Sequence, residues 1–158
     1  MSEKGEKLIA TNPHAGSDFF LAERVEAGMV LTGTEVKSIR EQSPNLREAF
    51  VEVNPNAGHG LEAWILNMHI APYSHGNLNN HEPRRKRKLL LHRRQLDKIH
   101  AALTREGMTA VPTRMYFTKG LVKLEIALAK GKKKHDRRED LKKRSAEREM
   151  DHARKKQR

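Results

Sequence analysis

Seven basic and no acidic side chains fall between Arg84 and Arg94, in the string Pro83-Arg84-Arg85-Lys86-Arg87-Lys88 followed by Leu89-Leu90-Leu91. Arginine and lysine at this density neutralise phosphates. Each contact releases condensed counterion, so about six contacts give log affinity a slope of roughly −4 to −5 against log salt. The leucines anchor the cluster to a folded surface, which fixes the cations in place; a merely solvated basic face is the plainer reading of the same string. A second cationic segment lies at the C-terminus, where Lys130 to Arg158 hold 14 of the 32 Lys and Arg against six acidic residues, supplying +8 of the net +12. Two separate basic segments point to nucleic acid. Folded RNA suits them better than duplex DNA, because no helix-turn-helix, zinc-finger or zipper spacing is present. With aromatic residues at 4%, recognition rests on shape and backbone with a few aromatic or His contacts, not on a broad stacking platform.

Other chemistries find no foothold. His69, His75 and His81 cluster around an irregular stretch, but no Cys accompanies them and no carboxylate spacing matches a metal site. No metal and no cofactor are expected. Paired carboxylates, a Ser/His/acid set and a phosphate-cradling Gly loop are all unrecognisable, so the chain is not read as an enzyme. Glu26, in Val25-Glu26-Ala27-Gly28, reads two ways. It is a solvated turn residue, or a carboxylate that accepts from a base amino group or holds an RNA-facing Arg.

Without the tail, residues 1–129 carry 18 basic and 14 acidic side chains, an ordinary balance for one domain. No apolar run approaches the roughly 18 residues of a membrane span and Met1 to Thr11 show no signal-peptide pattern, so a cytoplasmic protein without membrane partners is expected. Residues 1–17 read as a flexible lead-in with a short edge strand at Leu8 to Ala10. Phe19 to Val25 and Met29 to Thr32 read as a hairpin about Ala27-Gly28, followed by a short helix capped by Thr34. Ala49 to Val53 and Leu61 to Ile70 are strands around a turn-rich loop, the second one bent or bulged. Residues 71–83 form a long loop. Leu96, Ile99 and Leu103 recur at helical spacing, predicting an amphipathic helix over His92 to Glu106 that ends at Gly107. Beyond Pro112, Arg114 to Thr118 and Leu121 to Ala129 form a hairpin about Lys119-Gly120 with Val122, Leu124, Ile126 and Leu128 on its buried face. The chain is thus mainly β with flanking helices: an oligonucleotide-binding-like antiparallel β-barrel over 18–129, plus a basic tail over 130–158. With only Leu141 and Met150 as large apolar residues, the tail is expected to be disordered, or a fluctuating helix, until a polyanion orders it.

Four strings together resemble the SmpB family, the tmRNA-binding proteins of bacterial ribosome rescue. They are Glu26-Ala27-Gly28, the octet Gly33-Thr34-Glu35-Val36-Lys37-Ser38-Ile39-Arg40, Arg87-Lys88-Leu89-Leu90-Leu91, and the stretch from Ala129 through Lys130-Gly131-Lys132-Lys133-Lys134-His135-Asp136-Arg137 to Arg138. The likeness runs in order from about Asn12 to the C-terminus. It implies a monomeric adaptor that binds the tRNA-like domain of tmRNA and accompanies it to a ribosome stalled on a truncated message. Elongation factor Tu and alanyl-tRNA synthetase are then partners only indirectly, through the RNA. The family's RNA-contacting glutamate falls on Glu26, and its leucine and following polar position fall on Leu90 and His92, the latter Asn in some relatives. With the cations Arg87, Lys88, Lys119 and Lys123 these make the expected RNA-binding set of the barrel. In the tail, Lys132, Lys133, Lys134, His135, Asp136, Arg137 and Arg138 match the elements that enter the empty decoding site and message channel and become helical there. Arg137 stands where the family has Lys, keeping the charge and adding bidentate phosphate bonding. At Asn12-Pro13-His14 the chain departs from the family, in which basic residues often follow the Asn. Two other readings remain: a general ribosome-associated or initiation-type RNA-binding protein, and an RNA-modifying enzyme with a scattered site.

Overall fold

Alternating burial along the last hairpin sets the sheet. A computed structural model describes residues 5–157, apart from the side chains of residues 134–137. Strand β7 (Leu121–Gly131) buries Val122, Leu124, Ile126 and Leu128 and turns Lys123 and Glu125 outward. Strand β6 (Thr109–Thr118) reaches it through Lys119 and Gly120, at φ 50° and 76°, the left-handed pair that a tight hairpin turn requires. β6 begins before Pro112 and not beyond it as expected. Proline has no N–H for the ladder, and Pro112 is accommodated at a bulge: it faces Ile126, Arg114 faces Glu125, and Thr113 is left over.

The remaining strands are β1 (Glu6–Thr11), β2 (Phe19–Met29), β3 (Phe50–Asn56), β4 (Gly60–Leu66) and β5 (Arg87–Leu90). They run in the order β1-β6-β3-β4-β5-β2-β7, and the β6–β7 pairing closes six of them into a ring while β1 extends β6. All pairings are antiparallel. The fold is therefore the expected mainly-β, ring-closed sheet with flanking helices. β1 is longer than Leu8 to Ala10, and Ala15–Asp18 form a short helix, α1, whose Ala15 packs with Val111 and Ala129.

Two local expectations are corrected. The hairpin at Ala27-Gly28 does not exist, because β2 runs straight through it: Ala27 is buried in the core and Gly28 pairs with Leu90 on one side and Lys123 on the other. Glu26 thus sits in mid-strand, not in a turn. The next helix, α2 (Gly33–Glu41), is capped by Thr32, whose N–H donates to Glu35 Oε1 at 3.0 Å, and not by Thr34. The second long run does bend, since β4 stops at Leu66 and Asn67 adopts φ 60°. Helix α3 (Arg93–Arg105) buries Ile99 and Ala102, with Leu96 and Leu103 packed on the core.

Arg87 is the largest fully buried side chain, at 0% exposure. It faces Ile65 across β4–β5, so strand alternation aims it into the barrel while Lys88 and Leu90 point out. Its Nε donates to Glu35 Oε2, Nη1 to Met68 O at 2.6 Å and Nη2 to Pro83 O at 3.1 Å. Arg85 Nη2 donates to the other Glu35 oxygen at 2.5 Å. Arg87 therefore ties β5 to α2 and to both ends of the loop at 68–83.

Lys134–Lys156 form a helix, α4, of 23 residues. From residue 138 it is exposed nearly throughout, so it buries as little as its composition foretold. Its helicity comes from local preference, since Lys, Arg, Glu and Ala are good helix formers and Glu139/Lys143 and Asp140/Arg144 stand four apart.

The buried pair generates a prediction with a defined sign. Burial pushes the Glu35 carboxyl up, but the Thr32 amide and the Arg85 and Arg87 guanidiniums outweigh it and hold it below its ordinary value of 4.5. A depressed folded value contributes stability that is present above the unfolded value and lost as pH falls through the folded one. Urea melts of Arg87→Ala at pH 7 are expected to show a loss of about 3–5 kcal/mol, because Glu35 stays charged and buried with one of its two guanidinium partners gone and only Arg85 left to pair it. Glu35→Gln should flatten the fall in stability below about pH 4.5; an Arg87→Ala variant as stable as the parent would remove the pair from its structural role.

Candidate nucleic-acid interface

One outward row crosses five strands. Register pairs Leu90 of β5 with Gly28 of β2, Gly28 with Lys123 of β7, Lys123 with Tyr116 of β6, and Tyr116 with Leu8 of β1. Leu90 and Leu8 are more than half exposed, at 54% and 57%. A Cβ on Gly28 would stand 3.4 Å from Leu90 Cβ and 3.8 Å from Lys123 Nζ. Gly28 thus leaves the leucine and the ammonium as close neighbours on this face.

A second row, two residues along, carries the acidic element. Glu26 of β2 faces Glu125 of β7 directly, an unfavourable pairing unless the charges are compensated. Glu125 takes all the compensation. Arg24 Nη1 reaches its Oε1 at 3.0 Å, Arg114 Nε its Oε2 at 3.0 Å, and Thr113 Oγ1 donates to Oε1 at 2.7 Å. Burial alone pushes Glu125 up, but these donors hold it below the ordinary carboxylate value. Arg114 is spent further on Glu6, at 3.2 Å, and lies over the Tyr116 ring, 4.5 Å from its centroid. Glu26 is in no ion pair among the described residues. Its Oε2 accepts from the Tyr116 hydroxyl, and its Oε1 accepts no hydrogen bond among them. Tyr116 is 2% exposed. Burial, then the Glu26 carboxylate, pushes its phenol well above the ordinary tyrosine value, so it remains a donor. The face thus presents one oriented carboxylate oxygen among cations and apolar surface. Such an oxygen accepts from a base amino group or a ribose hydroxyl.

The structure brings most of the predicted barrel residues together. Glu26, Lys88, Leu90 and Lys123 share the outward face of β5, β2 and β7. Lys119 is exposed at the β6–β7 turn, and His92 is exposed two residues past Leu90, where it caps α3 and its N–H donates to Gln95 Oε1 at 3.0 Å. Lys88 Nζ is 3.4 Å from Glu62 Oε1. Arg87 is the exception. Aimed inward and bonded to Glu35, it offers nothing to a ligand, and its place in a basic string hid this because alternation along β5 had not been applied to it. Sequence reasoning missed Arg24, Tyr116 and Arg114. The i, i+2 spacing of the last two along a strand was the available signal; their meeting with Glu26 depends on non-local pairing. In the tail, Lys133 caps α4 and is exposed, as is Arg138. The side chains of Lys134, His135, Asp136 and Arg137 lie outside the described residues. Lys132 is buried: its Nζ donates to Gly16 O at 3.0 Å and to Asp140 Oδ2, and sits 5.0 Å from the Phe20 ring centroid. It is committed to the junction of barrel and tail.

Among the described residues no group of three or more His, Asp or Glu is placed to hold a metal ion. His81 bonds Thr34 Oγ1 at 3.0 Å and Ile70 O at 2.9 Å. No helix among them is long and apolar enough to cross a membrane.

Comparison with known proteins fits this surface. Residues 9–156 match the model of the SmpB protein family. An SsrA-binding protein of Pelobacter propionicus is 50% identical over 149 residues, 94% of this chain and 95% of that one. Another, of Fervidobacterium nodosum, is 48% identical over 145 residues, covering 91% and 94%. Among solved structures, a chain reported under "tmRNA-SmpB: a journey to the center of the bacterial ribosome" superposes with a TM-score of 0.65 at 37% identity, over 81% of this chain and 87% of that one. With the family model matched over residues 9–156 and relatives about half identical along nearly the whole chain, this protein belongs to the SmpB family.

Proposed function

We propose that this chain is an RNA-binding adaptor that holds the tRNA-like domain of tmRNA on the outward face of β5, β2 and β7 and delivers it to stalled ribosomes in trans-translation. The observation that carries the reading is the solitary carboxylate: Glu26 is oriented by a buried phenol and left out of the surrounding ion pairs, while its neighbour Glu125 is fully neutralised. A general polyanion trap has no use for such a group, because an unpaired carboxylate repels phosphate. A surface that reads shape and selected donors on folded RNA does. The relatives named SsrA-binding protein and the tmRNA-SmpB complex support this choice over a general ribosome-associated protein.

Within this reading the chain performs no chemistry of its own, acts as a monomer in the cytoplasm, and meets elongation factor Tu and alanyl-tRNA synthetase only through the RNA. The tail enters the empty decoding site and message channel, with Lys133, Arg138 and the cations beyond them on ribosomal phosphates. Lys132 acts differently from its neighbours, fixing where the tail leaves the barrel.

Binding is measured with full-length protein against the tRNA-like domain and an ordinary tRNA at two salt concentrations. Preference for the tRNA-like domain should persist at the higher salt, and Glu26→Gln should weaken it roughly ten-fold or more, the value of a hydrogen bond to a charged group. Tyr116→Phe should cost a few-fold, by releasing Glu26 without removing it. Equal binding of both RNAs that vanishes with salt would return the protein to the general RNA-binding class. A chain ended after Lys132 keeps every β7–β2 pair. It should bind the tRNA-like domain nearly as well as the full chain, yet fail to support peptide tagging on stalled ribosomes. Parallel loss of both activities would refute the division of labour between barrel and tail.

A further inference from the structure

The chain has one tryptophan, and it is not in the core. Trp64 lies half-exposed on the outer side of β4, with buried Ala63 and Ile65 on either side of it pointing inward. Register places it opposite Lys88 of β5. The ammonium of Lys86, an exposed side chain, rests 4.6 Å from its ring centroid. Lys86, Lys88 and Leu90 are successive outward positions leading along β5, so Trp64 continues the surface that carries Leu90 and Lys123.

We infer that Trp64 and Lys86 form a stacking subsite of this RNA-binding face, taking one unpaired nucleotide of the bound RNA. The inference rests on the adaptor reading and extends its footprint from β5 onto β4. A tryptophan face accepts a nucleobase of any identity. The flexible lysine that covers it in the free protein shifts to the adjoining phosphate when a base arrives, exchanging a cation–π contact for a charge-assisted one. The charges beyond Trp64 define where the footprint stops. Glu52 of β3 is directly opposite Trp64, and Glu62 holds Lys88 at 3.4 Å. The backbone therefore runs along the β5 side and cannot continue over β3, which makes Trp64 the rim of the site and a single-nucleotide contact.

Because the tryptophan is unique, its emission reports this contact alone. Full-length protein is titrated with the tRNA-like domain of tmRNA while the anisotropy of end-labelled RNA measures binding independently. Trp64 emission should be quenched in step with the anisotropy. Trp64→Ala should weaken binding roughly 5- to 100-fold, the range for loss of one base–aromatic stack, while Trp64→Phe keeps most of the affinity. Lys86→Gln should lower the magnitude of the salt slope by about 1. Saturated anisotropy with unchanged emission overturns the subsite and leaves the adaptor reading intact, whether or not Trp64→Ala folds. Wild-type protein that does not bind the tRNA-like domain overturns both.

Discussion

A charge placed inside a small barrel governs how this surface is built. Arg87 and Glu35 are both at 0% exposure, and desolvating two ions is repaid only with good geometry and further hydrogen bonds. Those are present: the carboxylate takes Thr32 and two guanidiniums, and the guanidinium takes three main-chain carbonyls besides Glu35. What the pair specifies is register. β5 has only four residues, Arg87–Leu90, and hydrophobicity alone would let Leu89, Leu90 or Leu91 point inward. Slipping the strand by one residue would turn Arg87 out and Lys88 in, leaving Glu35 buried without its ion pair. With Arg87 fixed inside, Lys86, Lys88 and Leu90 must face outward. The buried ion pair thus determines which of a run of basic and apolar residues becomes the interface.

The opposite part of the face is shaped by a conflict between like charges. Glu26 and Glu125 stand side by side, and the protein resolves the repulsion unequally. Arg24, Arg114 and Thr113 converge on Glu125, and Arg114 continues to Glu6. Glu26 receives only a neutral phenol, whose own raised pKa keeps it a donor. The arginines on this face are consumed internally, which leaves its outward charge to the lysines. In the proposed role that charge comes from Lys123, which has no ion pair among the described residues, and from Lys86 and Lys88, the latter shared with Glu62. In that role the face is less basic than composition implies, and its free acceptor penalises any phosphate placed over it.

The elements with strong local signals were legible in the sequence. Val122, Leu124, Ile126 and Leu128 announced β7, Lys119-Gly120 its turn, and the Leu96, Ile99 and Leu103 spacing announced α3. Local reasoning failed where tertiary pairing overrode it. Ala27-Gly28 reads as a turn, but both residues lie in mid-strand, the alanine in the core and the glycine paired with Leu90 and Lys123. Pro112 reads as a boundary, yet a bulge absorbs it. Of the candidate site, Glu26, Leu90 and His92 were named from family likeness and the outward lysines as cations of the barrel, while Tyr116, Arg114 and Arg24 were not named, because only the β2–β7–β6 register brings them to Glu26. Arg87 was misread as a surface cation for the converse reason: its partner Glu35 lies 52 residues away.

The tail depends on the barrel for direction more than for stability. Helix α4 has no apolar stripe to dock, so nothing in its own sequence fixes where it points. Its first turns are held instead at α1, where Lys132 is clasped by Gly16 O, Asp140 and the Phe20 ring, and Arg144 Nη2 reaches Gly16 O at 3.3 Å. A buried lysine needs such saturation, since its charge cannot be left unpaired away from water. In the proposed role this matters because a flexible polycation samples every nearby phosphate, whereas a helix leaving the barrel at a set angle presents its charge along one line. α1 is itself fixed through Ala15 against Val111 and Ala129, the latter on the same β7 whose other end carries Lys123. One strand therefore ties the proposed RNA-holding face to the base of the tail.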